Sequence, residues 1–181
     1  ADNGFIGKMQ KLVREEVLPY QYNILNDAIP GIEKSHAIEN IRLAAEKLRG
    51  KDVKPDEFYG MVFQDSDVAK WIEAAAYALA AGEDPELEKA VDETIQLYGA
   101  SQHEDGYVDS YFTVKCPDKM WTNICDAHEL YCAGHMMEAA VAYYEVTGKR
   151  ELLDIMSKSA DCIYEQFMKK NTRAYPGHPE V

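Results

Sequence analysis

The chain has 181 residues, 46% of them hydrophobic and 28% charged, with a formal net charge of −13. That balance fits one globular domain, residues 1–181, able to bury a real core, and excludes a disordered segment. The negative excess repels phosphate, which disfavours nucleic acid and anionic lipid as partners, and no apolar run is long enough to predict a membrane span.

Residues 1–10 lack a basic head followed by an apolar block, so no signal peptide is predicted. Residues 8–27 read as helix, kinked or divided by Pro19. Residues 35–49 follow, with Ile38, Ile41, Ala45 and Leu48 on one side and Gly50 as the stop. Asp65 or Ser66 caps a helix that runs to Ala81 and ends at Gly82. Pro85 suits the first turn of the next, which reaches about Ser101. Asp105-Gly106 is a turn, and residues 107–114 form the one short extended β segment expected in an otherwise all-α chain. Asp126 opens a helix that Gly148 closes, and residues 149–169 form the last one. Residues 175–180 are a loop that leads toward a further helix, and the ending at Val181 predicts that the chain is part of something longer.

Two stretches echo each other: EAAAYALAAGEDPELEKA from Glu73 and EAAVAYYEVTGKRELLDI from Glu138. In each, a helix of small and aromatic residues ends at Gly, a tyrosine (Tyr77, Tyr143) precedes that Gly, and a leucine (Leu87, Leu153) follows it. The repeat predicts stacked helical hairpins, as a solenoid or an α/α toroid. Leu130, Met137, Val141 and Tyr144 form one apolar face of the second inner helix, opposite a face of small or weakly polar residues. So little charged surface suits an inner helix, packed on one side and lining a cavity on the other. The charge-rich helix from Pro85 is the outer type, with a solvated face.

Cys125, His128, Cys132 and His135 recur at helical spacing along one stripe. Thiolate and imidazole are good zinc ligands, but one helix offers a single metal at most two or three of them, and no second cluster is apparent. No metal ligand is therefore assigned, and the four cysteines, Cys116 and Cys162 included, read as reduced thiols of a cytoplasmic protein. His128 and His135 stand two turns apart among small neighbours, either as satisfied core histidines or as pocket residues that bond sugar hydroxyls. Asp65 and Asp67 are plain N-caps, or else a carboxylate that grips a sugar beside Trp71. Glu129 could hold one imidazole in a tautomer. The stretch DGYVDSYF is either a sugar-site rim or a packed arm. Paired carboxylates would suit glycoside hydrolysis, but spacing identifies no acid or base. No GxGxxG, P-loop or GxSxG is present, which leaves nucleotide chemistry and an α/β-hydrolase unsupported.

FYGMVFQDSDVAKWIEAAAYALA, DGYVDSYF, WTNICDAHELYCAGHMMEAAVAYYEVTGKRELLD and YPGHPEV, with LPYQYNIL near the start, together resemble the N-terminal part of the catalytic domain of glycoside hydrolase family 127. The family type is a retaining β-L-arabinofuranosidase. The resemblance covers nearly the whole chain and implies about half of an (α/α)6 toroid. It implies sugar contacts from His135 and His178, with His128, Trp71 and Asp67 as further wall residues, and an arabinose-containing glycan as partner. In complete members a zinc-bound cysteine thiolate attacks the anomeric carbon and a glutamate is the acid/base. Those groups belong to a Glu-x-Cys element and a Cys-Cys pair, which this chain lacks, so no catalytic residue is assigned and no cofactor is expected in this chain. The reading is a hydrolase fragment, inactive alone. A stand-alone helical binding or scaffold protein is the second reading; half a toroid exposes helix faces that a homo-oligomer would cover, whereas a well-behaved monomer would favour a self-sufficient small bundle. An unsaturated glucuronyl hydrolase would want basic residues near the stripe, where only Lys70 and Lys115 are at hand.

Overall fold

The computed structural model describes residues 4–180, so the start of the 1–10 segment and Val181, the end of the YPGHPEV motif, lie outside it. Eight α-helices follow in order: α1 Phe5–Leu12, α2 Leu18–Leu25, α3 Ala37–Leu48, α4 Asp65–Ala81, α5 Pro85–Ala100, α6 Ser110–Lys115, α7 Glu129–Thr147 and α8 Glu151–Tyr164. The protein is all-α, with no strand among the described residues.

Pro19 does not split the first helix. The π turn Val13–Val17 joins α1 to α2 directly before it, where a missing N–H and the ring would otherwise disturb the α-pattern. The hairpin turns form where local chemistry predicts. Asp84 caps α5 by accepting from the Leu87 N–H at 3.1 Å, with Pro85 in the first turn. Gly148 closes α7 in the left-handed region at φ +73°, a conformation that suits glycine.

Helices α4 and α7 run parallel and in register. Phe63, just before α4, packs on His128, Lys70 meets Tyr131, and Tyr77 senses the charge of Glu138. Small residues of both helices lie in the shared core: Ala75 and Ala76 of α4, Ala139 and Ala140 of α7, all essentially buried. The face expected to be buried on α7 is therefore corrected. Val141 and Tyr144 are 47% and 37% exposed, while Met136 and Tyr143 are buried. Alanines let the backbones approach closely, and the large side chains fill the flanks toward α5 and α8. Tyr98, Ile95, Leu152 and Met156 join them there in one core with Leu18 and Ile72.

Residues 107–114 are not a strand. The segment is extended only as far as Asp109, which then caps α6 by accepting from the Phe112 N–H at 3.0 Å. With no neighbouring strand to pair with, helical bonds are what satisfy this buried backbone. Asp65 and Ser66 are not the cap of α4, whose N-cap is Gln64. Asp126 does not open α7, which begins at Glu129 after His128 in the left-handed region at φ +59°. Cys125 and His128 thus precede the helix, and the four-residue stripe is not one helical row.

Candidate functional site

The starts of α4 and α7 are each built on a buried carboxylate. Asp65, the first residue of α4, accepts from the Ser110 backbone N–H at 2.7 Å and from the Ser110 hydroxyl. Glu129, the first residue of α7, accepts from the Tyr107 hydroxyl at 2.7 Å and from the Trp121 N–H at 3.0 Å. Helix N-termini favour negative charge, and these donors satisfy the oxygens. Burial nevertheless dominates: it raises the pKa of Asp65 against the Ser110 bonds, and that of Glu129 against the Trp121 and Tyr107 bonds. Asp109 lies well above the ordinary carboxyl range, through burial and the nearby Asp65, and its Oδ2 is buried without a hydrogen-bond partner among the described residues.

Above this layer, Tyr131 is the centre of an aromatic cluster. Its ring meets His135 edge-on at 4.5 Å between centroids, His178 at 4.8 Å and His128 at 5.5 Å. Lys70 donates to its hydroxyl at 2.8 Å and to Ser66 Oγ at 3.2 Å. His135 points its Nδ1 toward Glu138 Oε2 at 3.4 Å, a charge contact without hydrogen-bond geometry, and its Nε2 toward Glu180 Oε2 at 3.8 Å. His178 is exposed and places Nδ1 3.1 Å from Glu180 Oε1. His128 packs on Phe63 at 5.4 Å, and its Nδ1 is buried without a partner among the described residues. Asp67 is exposed as a residue, 3.4 Å from Gln64 Nε2. Partial shielding of its carboxylate from water raises its pKa, opposed by Lys70.

Of the five wall residues read from the sequence, His128, His135 and His178 meet on Tyr131, and Asp67 lies one helical turn from Lys70. Trp71 does not join them. It is 3% exposed, stacks on Tyr22 at 4.7 Å and donates its indole N–H to the Leu18 carbonyl at 3.1 Å. It is a core residue that fastens α2 to α4, and the aromatic surface at the site is Tyr131. Lys115 is likewise elsewhere, over the rings of Phe58 and Tyr111. The DGYVDSYF segment contributes support from below through Tyr107, Asp109 and Ser110.

The sequence pattern also passes over two glycines that let the site close. A Cβ on Gly134 would collide with the Glu180 carbonyl, and one on Gly177 with the Cys125 carbonyl. These bare backbones are where the 175–180 segment, which carries His178, lies down on α7 and on the loop before it. Tyr131 was legible in principle: it stands three residues after His128 and four before His135, the spacing at which helical side chains touch.

Among the described residues, His135, Glu138 and Glu180 offer possible ligand atoms within 4.8 Å of one another. Tetrahedral zinc holds its ligands roughly 3.4 Å apart, so this group is looser than a formed centre, and it contains no thiolate. The four cysteines are free and scattered, and burial holds the Cys132 thiol well above its ordinary range. They do not fit the zinc-thiolate chemistry that the resemblance attaches to complete members.

Comparison with known proteins finds relatives of this chain in sequence and in fold. The family model described as β-L-arabinofuranosidase, GH127 catalytic domain, matches residues 1–181. The non-reducing end β-L-arabinofuranosidase of Bifidobacterium longum subsp. longum is 41% identical over 187 aligned residues, covering 92% of this chain and 27% of that protein. The crystal structure of a GH127 β-L-arabinofuranosidase from Geobacillus stearothermophilus T6 superposes with a TM-score of 0.90 at 52% identity, over 99% of this chain and 28% of that one. A second GH127 β-arabinofuranosidase structure gives 0.83 at 30% identity, over 98% and 28%. The chain thus spans little more than a quarter of the relatives it matches, and within that span it belongs to glycoside hydrolase family 127.

Proposed function

We propose that the chain forms one wall of the sugar site of a retaining glycoside hydrolase that releases L-arabinofuranose from β-L-arabinofuranosyl glycans. In this reading residues 1–181 are a single helical domain, about half of an (α/α)6 toroid, and α4 and α7 are inner helices whose N-terminal ends face the cavity. One observation carries it: His135 and His178, from segments far apart in the chain, flank the ring of Tyr131 and share the carboxylate of Glu180. Imidazole nitrogens can donate to or accept from sugar hydroxyls, the phenol ring offers an apolar face to sugar C–H groups, and Asp67 with Gln64 adds acceptors and a donor at the rim. His128 supports the cluster from beneath.

No described residue supplies a nucleophile or a proton donor in this proposal. Cys132 is held as a thiol, and Asp65, Asp109 and Glu129 are committed to the helix starts. Zinc belongs here only to the complete enzyme, through ligands that this chain does not carry. The chain alone is therefore expected to bind weakly and not to turn over, since losing both nucleophile and acid/base costs orders of magnitude in rate. NMR titration with a β-L-arabinofuranosyl disaccharide tests the proposal. Shifts centred on His135, His178 and Tyr131, with no hydrolysis, support it. Turnover by this polypeptide, or shifts confined to another face, would overturn it. Four free cysteines support a cytoplasmic, reducing setting, and no described helix is long and apolar enough to cross a membrane.

The second reading is a stand-alone helical scaffold. Phe5 and Ile6 of α1 are 75% and 66% exposed, and Met168 and Tyr175 at the other edge are 68% and 87% exposed. Half a toroid leaves such faces uncovered, and they invite self-association. Light scattering separates the two: association that is lost on Phe5→Ser and Ile6→Ser substitution favours the part-toroid, and a well-behaved monomer favours the self-sufficient scaffold.

A further inference from the structure

The sequence sets a glycine directly before two of the site histidines, as Gly134-His135 on α7 and Gly177-His178 in segment 175–180. Both glycines are pressed against main chain. A Cβ on Gly134 would overlap the Glu180 carbonyl, and one on Gly177 the Cys125 carbonyl. At Gly82 and Gly99, by contrast, an added Cβ would meet the side-chain tips of Arg14 and Ile155, at 2.9 and 2.8 Å, and those tips can swing aside. A main-chain carbonyl cannot, so at positions 134 and 177 the contact itself must give way. Hydrogen bonding holds little of the segment. Among the described residues, no backbone hydrogen bond ties residues 171–180 to the rest of the chain, and Gln166 reaches Thr172 by one side-chain bond of 3.4 Å. Glu180 adds a charge contact to His135 at 3.8 Å, and residues 175–179 are exposed.

We infer that Gly134 and Gly177 are positioning residues: a pair of backbone notches that set how closely segment 175–180 lies on α7, and so bring the His178 ring onto Tyr131 beside His135. His178 stands between the two contacts, with Gly177 seated at one end and the Glu180 carbonyl at the other. The span between them is short and stiff. Pro179 fixes its own φ and disfavours helical backbone at His178, the residue before it. The bracketed ring lies 4.8 Å from the ring of Tyr131, which sits on the same helix as Gly134. Each notch is thus next in sequence to the imidazole it places, and the two imidazoles are registered through main chain. The site is thereby separable from the fold. Alanine is a better helix former than glycine, so Gly134→Ala should leave α7 intact while its methyl lifts the segment away.

This inference rests on the proposed sugar site for its purpose, but its test does not. Proton NOE spectra of the complete 181-residue chain report the ring contacts directly. The native chain is expected to show cross-peaks from the Tyr131 ring to the rings of both His135 and His178. Gly134→Ala and Gly177→Ala are each expected to melt cooperatively, to keep the Tyr131–His135 cross-peak and to lose the Tyr131–His178 one. Gly148→Ala is the control: it strains the backbone at the far end of α7, in open space, and should lose stability while keeping both cross-peaks. A Tyr131–His178 cross-peak that survives both notch variants overturns the inference, and so does its absence from the native chain. Survival in one variant removes that glycine from the role. Unfolding of the notch variants also overturns it, because the segment would then be part of the core and not laid upon it. With a β-L-arabinofuranosyl disaccharide, the notch variants should lose the shift at His178 and keep the one at His135. Absence of any sugar-induced shift in the native chain would sink the sugar reading and leave the notch result standing.

Discussion

The two ends of α4 and α7 are built on different principles. At their starts, α4 and α7 each bury a carboxylate, Asp65 at 4% and Glu129 at 3% exposure, and each draws donors from the 107–121 stretch. At their finishes, the same helices stop at Gly82 and Gly148 near solvent, and Lys149 reaches back to Glu88 and Asp92 at 2.6 and 2.5 Å. Turn chemistry makes the second end cheaply. Desolvated charge makes the first, along with a left-handed non-glycine residue, His128, whose backbone is itself strained by about 1 kcal/mol or more. His36 repeats that device before α3, with its ring 2.7 Å from Asp27. The difference teaches where the fold spends stability to hold geometry, and that is the end where the histidines gather.

The sharpest way to break this comparison is to delete the charge at the costly end. Glu129→Ala leaves the Tyr107 hydroxyl and the Trp121 N–H without their acceptor in a buried layer. A loss of about 2–4 kcal/mol is expected from urea unfolding, with Glu129→Gln recovering about half because an amide oxygen can still accept. A cost below about 1 kcal/mol would mean that the loop carrying Trp121 is not held by this group.

Next in size is a pH effect whose sign runs against ordinary acid denaturation. Asp65, Asp109 and Glu129 all have pKa values raised by burial. A carboxyl raised in the folded state binds its proton more tightly there than in the unfolded chain. Its contribution is therefore complete below the unfolded value of about 4 and is lost as pH rises through the folded value. Asp27 runs the other way: its burial raises its pKa, but the bonds from His36 outweigh that and lower it, so its contribution fades as pH falls. Asp109→Asn isolates the first effect, because the amide oxygen keeps the cap on Phe112 while the charge beside Asp65 disappears. At pH 8 this variant is expected to be as stable as the parent or about 1 kcal/mol more so, with a flatter stability profile between pH 5 and 8. A loss above about 1 kcal/mol at pH 8 would show that the ionised carboxylate is better satisfied than its unpartnered Oδ2 suggests.

How far these ends were legible in the sequence follows from the same division. Asp84-Pro85 and Gly148 act on neighbours in the chain, so their turns could be read residue by residue. The hairpin repeat likewise carried the fold class, the HELYCAGH stretch two histidines of the site, and the YPGHPEV motif the third. The 107–114 segment could not be read that way. Alternating aromatics look like a strand until one knows that no partner strand lies beside it and that Asp109 is free to cap. Trp71 looked like a sugar platform because aromatic rings serve as platforms, whereas its indole N–H found the carbonyl of Leu18, 53 residues away in sequence. Tyr77 and Tyr143 occupy equivalent places in the repeat, yet Tyr77 is 60% exposed and Tyr143 is 1%. Only the neighbour distinguishes them: Asp92 receives the Tyr143 hydroxyl at 2.7 Å. Gly134 and Gly177 matter through the backbone that lies against them, which no local pattern encodes.

The cheap end yields the smaller effects. Gly148→Ala puts a Cβ where φ is +73° in open space, so only backbone strain is at stake and about 1 kcal/mol should be lost. Lys149→Ala is the matched partner of Glu129→Ala, since it deletes a charge at the opposite end of α7. Burial lowers the Lys149 pKa, but its bonds to Asp92 and Glu88 outweigh that and raise it, so the ammonium is the form to be lost. At 40% side-chain exposure, however, water and salt already screen it. Its removal should cost no more than about 1 kcal/mol, and that cost should largely vanish in 0.5 M salt, where the screening length is about 4 Å. Glu129→Ala should keep its full cost in the same buffer, because no ion reaches a carboxylate sealed beneath Tyr107 and Trp121. Equal salt sensitivity at the two ends would mean that the N-terminal carboxylates are solvated, and that the site owes its shape to packing alone.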